Sequence, residues 1–230
     1  MTRISIIIPV LNERANLEAL LPYLNAAADD PSWFEVLVCD GGSTDGGAEV
    51  ARCHGASFLS SAPGRARQMN AGALEARGEV LYFLHADSRP PQGFDKMILK
   101  AHDRGKGAGC FRLAFDSPNL VLRAFAWFTR LNWPLCRGGD QSLFIRKAWF
   151  EALGGFNERF IIYEDNEFTG RIYDRFAFTV LPAVVKTSAR RYADHGVLTL
   201  QFHYTVIHLK RWLGAPPEAL YRYYRKFIGT

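Results

Sequence analysis

Val38-Cys39-Asp40-Gly41-Gly42-Ser43-Thr44-Asp45-Gly46 and Phe83-Leu84-His85-Ala86-Asp87 are the two stretches on which the reading of this chain turns. Each sets an aspartate directly behind an apolar run of the kind that forms a buried parallel strand. Ligands of open α/β sheets bind outside the carboxyl ends of the strands, so Asp40 and Asp87 are expected in one crevice. Upstream, residues 4–10 read as a strand interrupted only by Ser5, with Pro9 near the end where ladder pairing stops. Leu17, Leu20, Leu21 and Leu24 then make a helical apolar stripe, and residues 34–39 form the second strand. A crossover helix between two strands implies that they pair in parallel.

Further along, residues 48–52 read as a short helix capped by the Ser-Thr-Asp turn, 56–59 as a strand, 65–77 as a helix and 80–85 as the fourth strand. The start of the 65–77 helix, with Arg65, Arg67 and Asn70, is expected to face the crevice. Beyond Asp87 the pattern predicts helices near 94–101 and 120–131, strands at 109–115, 142–145 and 178–185, and a helix opening at Tyr163-Glu164-Asp165-Asn166-Glu167. The fold class is α/β, with a mostly parallel central sheet flanked by helices. No repeat and no linker rich in Pro, Ser or Gly divides the chain, so residues 1–230 read as one domain.

Composition narrows the function classes. Hydrophobic residues at 48% exclude wholesale disorder, and the net charge of +5 suits a phosphorylated ligand or an anionic surface without choosing between them. No long Lys/Arg block marks a nucleic-acid groove. Neither G-x-G-x-x-G opening a helix after the first strand nor G-x-x-x-x-G-K-[ST] is present, which argues against dinucleotide and P-loop sites. Cys39, Cys53, Cys110 and Cys136 form no CxxC pair and read as reduced thiols of a cytoplasmic protein.

Four motifs in order carry a resemblance: Ser5-Ile6-Ile7-Ile8-Pro9-Val10-Leu11-Asn12-Glu13, the Asp40–Gly46 loop, Asp87, and Gly154-Gly155-Phe156 with Glu164-Asp165. Over residues 4–185 the chain resembles the inverting family-2 glycosyltransferases of the GT-A fold. Gly64-Arg65-Ala66-Arg67-Gln68-Met69-Asn70-Ala71-Gly72, Gly139-Asp140-Gln141 and Thr187-Ser188-Ala189-Arg190-Arg191 are similar to a small bacterial subgroup, the selenodomain-associated transferase 2 proteins.

The resemblance implies a nucleoside-diphosphate sugar donor, UDP- or GDP-linked, a hydroxyl acceptor, and a divalent cation, Mn2+ or Mg2+. It gives Asp40 the nucleotide base or ribose, with Pro9, Asn12 and Glu13 forming the facing wall, and Arg65 or Arg67 the diphosphate. Carboxylate oxygens match base or ribose donors and a guanidinium fork matches phosphate, although Asp40 also suits a turn cap. Asp87 occupies the last position of the family's Asp-x-Asp metal motif, whose first position here is His85; imidazole is a poor magnesium ligand and a fair manganese one. His85 equally suits a hydrogen bond to the sugar or a satisfied core position. Asp165 corresponds to the catalytic base, with Glu164 raising its proton affinity or orienting it, and Asp140 as a rival on the acceptor side. The N-terminal helix dipole alone would also favour such acids.

Residues 190–230 read as a lid and helical extension. Arg191 is expected to close over the diphosphate and His195 to complete the metal site. Leu198, Phe202, Val206, Leu209 and Leu213 form a second helical stripe, interrupted by too many polar residues to span a membrane. The favoured reading is that this stripe covers the core or mediates a homodimer. The alternative is that it rests, together with residues 120–131, on the inner face of a membrane, which would favour a lipid-linked acceptor. Two other function classes stay open, a noncatalytic sugar-nucleotide binder and a sugar nucleotidyltransferase, although the latter usually carries a glycine-rich basic loop where this chain has Asn12-Glu13-Arg14.

Overall fold

In the computed structural model, which describes residues 2–138 and 141–229, Ile4–Val10 forms β1 and all its side chains are buried. Helix α1 (Arg14–Ala27) turns Leu17, Leu20, Leu21 and Leu24 inward, and β2 (Phe34–Asp40) runs parallel to β1 with Val38 opposite Ile8. After α2 (Gly47–Cys53), strand β3 (Ser57–Ser60) pairs with β2; after α3 (Arg65–Glu75), β4 (Val80–Phe83) pairs with β1, both in parallel. The second half adds β5 (Ser88–Arg89), α4 (Phe94–Asp103), β6 (Ala108–Phe115), α5 (Leu120–Phe128), β7 (Leu143–Arg146) and α6 (Lys147–Ala152). It continues through α7 (Glu164–Arg175), β8 (Phe178–Thr187), α8 (Arg190–His195), α9 (Val197–Trp212) and α10 (Pro217–Phe227).

The sheet has eight strands in the order β3-β2-β1-β4-β7-β6-β8-β5. Six of these eight strands run in one direction, in line with the expected mostly parallel sheet, and two reverse it to make the sheet mixed: β7 inserts antiparallel between β4 and β6, and β5 pairs antiparallel with β8. Strand direction was illegible at β7 because Leu143, Phe144 and Ile145 are all buried, so the strand has the continuous apolar signature of a parallel one. Alternation along β1 feeds two layers. Ile4, Ile6 and Ile8 pack with α1 and α4, while Ile7 packs with α3 and α7. Helix α3 presses hard on its layer: a Cβ at Gly72 would come within 2.6 Å of Cys39 Sγ and Ile7 Cγ2. That close approach seats the second half of α3 directly on β1 and β2.

A third apolar cluster joins Leu122, Phe160, Tyr192, Leu200, Ile207, Leu220 and Ile228. The C-terminal helices are therefore packed against the body of the protein. Within α9, however, Leu200 and Ile207 are buried, whereas Leu198, Phe202 and Leu209 are 71%, 63% and 50% exposed. The stripe read from the sequence thus faces away from the core, which corrects the expectation that it covers it. Aromatic residues with polar tips do the packing instead: Tyr204, Tyr223 and Tyr224 lie against the cluster. Among the described residues no helix is long and apolar enough to cross a membrane.

Candidate active site

The carboxyl ends of β1 and β4 and the start of α3 enclose a cleft of about 610 Å³. Pro9, Glu13, Arg65, Arg67, His85 and Asp87 line it, with Glu158, Phe160, Ile161 and Tyr221 closing the far side. Gln68, buried beneath the floor, donates from Nε2 to the carbonyls of Val10 at 2.6 Å and Cys39 at 2.8 Å, tying the ends of the two central strands together. A sequence reading centred on charged residues passes over this glutamine. Its signal was a polar side chain on the otherwise apolar face of α3, beside Ala66, Met69 and Gly72.

Asp40 is buried, and its carboxylate accepts the Gly42 and Ser43 amides at 3.0 Å and the Ser43 hydroxyl. It caps its own loop. Asn12, in the left-handed region with φ of 55°, receives the Thr44 amide on its side-chain oxygen at 2.9 Å and gives its own amide to Ser43 Oγ at 2.8 Å. Asp40 and Asn12 therefore brace the two loops at the cleft's edge and are absent from its lining.

The acids sit opposite. Tyr163, with φ of 72°, is a bulky residue held in left-handed backbone immediately before α7. Its hydroxyl meets His208 Nδ1 of α9 at 3.1 Å, and burial pushes the His208 ring down toward its neutral form. The strained turn aims Glu164 and Asp165 at the seam between this cleft and a second chamber of about 620 Å³, which both acids line. Asp165 Oδ2 lies 3.9 Å from His85 Nε2, and Glu164 Oε1 lies 3.8 Å from Arg65 Nη1. Arg65 borders both spaces.

Glu164 is 2% exposed, and its Oε1 has no hydrogen-bond partner. Burial pushes its carboxyl up, and Arg65 only partly opposes that. A raised folded-state pKa means that folding favours the protonated form, so the associated stability is complete below about pH 4.5 and is lost as pH rises through the folded value. Glu164→Gln is therefore expected to melt higher than wild type at pH 8, with the gap closing at pH 4.5. At this chain size each ~1 kcal/mol corresponds to roughly 2–4 °C. A gap that widens on acidification, measured by calorimetry, would count against a protonation-linked strain at Glu164.

Other expected site residues fall elsewhere. Asn70 is absent from the cleft's lining: it accepts the Phe156 amide and donates to the Phe156 carbonyl and to Glu158 Oε1, all at 2.9 Å, and so holds the turn after Gly155 beneath the cleft wall. Arg191 lines the second chamber rather than the cleft that holds Arg65, Arg67 and Asp87, with its guanidinium on the Tyr224 hydroxyl. His195 ends α8 and is not brought to His85 and Asp87; among the described residues no group of three or more His, Cys, Asp or Glu side chains is placed to hold a metal. Asp140 lies outside the described residues. The sequence reading also missed Arg137, which is 5% exposed and borders the second chamber. It donates to the carbonyls of Thr129 and Leu131 and to Cys110 Sγ, so this buried cation orders the chamber floor.

With that geometry in view, the profile of glycosyl transferase family 2 matches residues 5–178. The chain belongs to this family. The glycosyltransferase AglE of Haloferax volcanii is 33% identical over 74% of this chain and 61% of its own length. The undecaprenyl-phosphate 4-deoxy-4-formamido-L-arabinose transferase of Aeromonas hydrophila is 34% identical over 43% of this chain and 33% of its own. The chain thus spans less than two thirds of these family members. Among solved structures, the mannosyltransferase PcManGT of Pyrobaculum calidifontis, in complex with GDP-Man and Mn2+, aligns with a TM-score of 0.71 at 19% identity over 98% of this chain and 68% of that one. S. aureus TarS 1–349, in complex with UDP, aligns with a TM-score of 0.68 at 22% identity over 81% of this chain and 60% of that one. At these identities the likeness is one of fold, an α/β nucleotide-sugar transferase fold.

Proposed function

We propose that this protein is an inverting glycosyltransferase of the GT-A type, moving a sugar from a UDP- or GDP-sugar to an acceptor hydroxyl. The observation that carries the reading is the seam: Asp165 lines the acceptor-side chamber while lying 3.9 Å from His85, a wall of the donor cleft. A sugar at that seam has a carboxylate on one face and the diphosphate-binding side on the other. Asp165 accepts the acceptor hydroxyl's proton as that oxygen bonds to the anomeric carbon, and the bond to the nucleoside diphosphate breaks with its electron pair. Attack and departure on opposite faces invert the anomeric configuration.

Arg65 and Arg67 lie on the diphosphate side with guanidinium forks suited to phosphate oxygens. The residues present fit a divalent cation only as a site completed by substrate: Asp87 supplies one hard carboxylate and His85 a borderline nitrogen, with phosphate oxygens and water filling the rest. Bound there, such a cation would neutralise charge on the departing diphosphate. Membership of the narrower selenodomain-associated group is proposed on the motifs of residues 64–72, 139–141 and 187–191 alone. UDP or GDP should raise the melting temperature, and more so with manganese than with chelator, because a ligand of the native state alone stabilises it. No shift with either nucleotide would sink the donor assignment.

A further inference from the structure

Helix α5 buries only Leu122 and Ala126 and turns the rest of an apolar surface outward, with Leu120 73%, Trp127 53% and Phe128 49% exposed. The loop that follows adds Trp133 at 64% and Leu135 at 85%. Scattered apolar residues are ordinary on a protein surface, but a contiguous apolar face marks an interaction site.

Beside this face runs a groove of about 510 Å³ in which Arg112, Arg123 and Arg130 meet the side chains of Leu120 and Trp127. No carboxylate is among the described residues that line it, and Arg112 Nε is buried there without a hydrogen-bond partner. Aromatic and aliphatic side chains interleaved with arginines match one kind of surface in particular, an interface with anionic oxygens above and hydrocarbon beneath. A second copy of the chain fits less well. A two-fold pairing sets the same patch against itself and would bring the arginines of one copy toward those of the other.

We infer that the α5 face docks on a bilayer bearing anionic phospholipid headgroups, with Trp127, Phe128 and Leu135 in the interface and the arginine groove on lipid phosphates. This moves the membrane contact away from the α9 stripe considered in the sequence. It also has a consequence for transfer, resting on the function proposed above. Phe125 and Phe128 of the same helix line the chamber that holds Asp165, so docking sets the mouth of that chamber at headgroup depth, where a lipid-borne acceptor can enter it.

The test is flotation of the full chain with phosphatidylcholine vesicles and with phosphatidylcholine–phosphatidylglycerol vesicles at low and high salt. Flotation is expected only with the anionic vesicles, and it should weaken as salt screens the arginines. Arg123→Ser with Arg130→Ser should reduce binding roughly 25-fold, at about fivefold per basic side chain near an anionic surface. Trp127→Ser with Phe128→Ser should also release the protein, whereas Trp212→Ser with Leu213→Ser should leave binding in place. All these side chains are exposed, so unchanged melting curves identify folded variants. No flotation of wild type, flotation indifferent to both α5 pairs, or loss confined to the Trp212 and Leu213 pair would overturn the proposal. So would a dimer, seen by light scattering, that dissociates in the α5 variants while wild type ignores vesicles. Nucleotide-induced stabilisation is read separately in each sample, so a failure of docking and a failure of the transferase reading are told apart.

Discussion

Asp165→Asn is expected to bind nucleotide as wild type does and to lose sugar transfer by at least about 10²-fold, the cost of removing a general base. The amide keeps the shape of the carboxylate and the start of α7 intact, so the loss should fall on kcat and leave donor affinity unchanged. The variant separates three function classes. A noncatalytic sugar-nucleotide binder has no turnover to lose, and a nucleotidyltransferase has no acceptor-side base at this position. Resonance spectroscopy of the newly formed linkage supplies the stereochemical half: the wild-type product should carry the anomeric configuration opposite to the donor's. A retained configuration would require a different mechanism, and the role of Asp165 as base would fall with it.

The parts of this fold that could be read in advance are those where one local signal suffices. β1 and α1 follow from an apolar run broken only by Ser5 and a leucine stripe, and the structure has them at Ile4–Val10 and Arg14–Ala27. The short strand β5 has only two residues, Ser88–Arg89, and owes its existence to pairing with Lys186 and Thr187, a partner no local pattern specifies. Helix α10 falls inside the helical extension read for residues 190–230, but its bounds were not drawn: Tyr223 and Tyr224 pack against the C-terminal cluster, while Arg222, Arg225 and Lys226 give the same segment a polar appearance.

The site divides in the same way. That Asp87, His85 and Arg65 would share one cleft, with Asp165 near it, could be read in advance because strand ends and helix starts meet on one side of an α/β sheet whatever its details. Asn70 was misread because its partner, the Phe156 backbone, is 86 residues away in sequence, and only folding brings that turn to α3. Asp40 presents the converse. Its neighbours Gly42 and Ser43 satisfy it locally, so the same motif that signals a nucleotide pocket also encodes a self-contained turn. For this loop, shape is the more direct contribution: capping holds Ser43 on the Asn12 amide and so holds one rim of the cleft.

Asp87→Ala should abolish transfer and weaken UDP or GDP binding in manganese while barely changing it in chelator. The expectation rests on how little the protein itself asks of this side chain. Asp87 is half-buried in the turn between β4 and β5; among the described residues its carboxylate accepts one long hydrogen bond, 3.5 Å from the hydroxyl of Ser88, and feels the charge of nearby Arg89. Asp40, by contrast, spends its carboxylate on three loop donors. A carboxylate left largely uncommitted at the edge of a cleft bordered by Arg65 and Arg67 suits an ion shared with phosphate oxygens, since an anion facing a bare diphosphate would repel it. Removing Asp87 therefore has opposite consequences in the two media. In chelator it deletes a repulsion and affinity holds or rises; in manganese it deletes the protein's anchor for the cation, and affinity falls. Titration calorimetry of both proteins with and without manganese measures that crossing directly. Equal nucleotide affinity of wild type and variant in manganese would remove Asp87 from the donor site and leave it a turn residue.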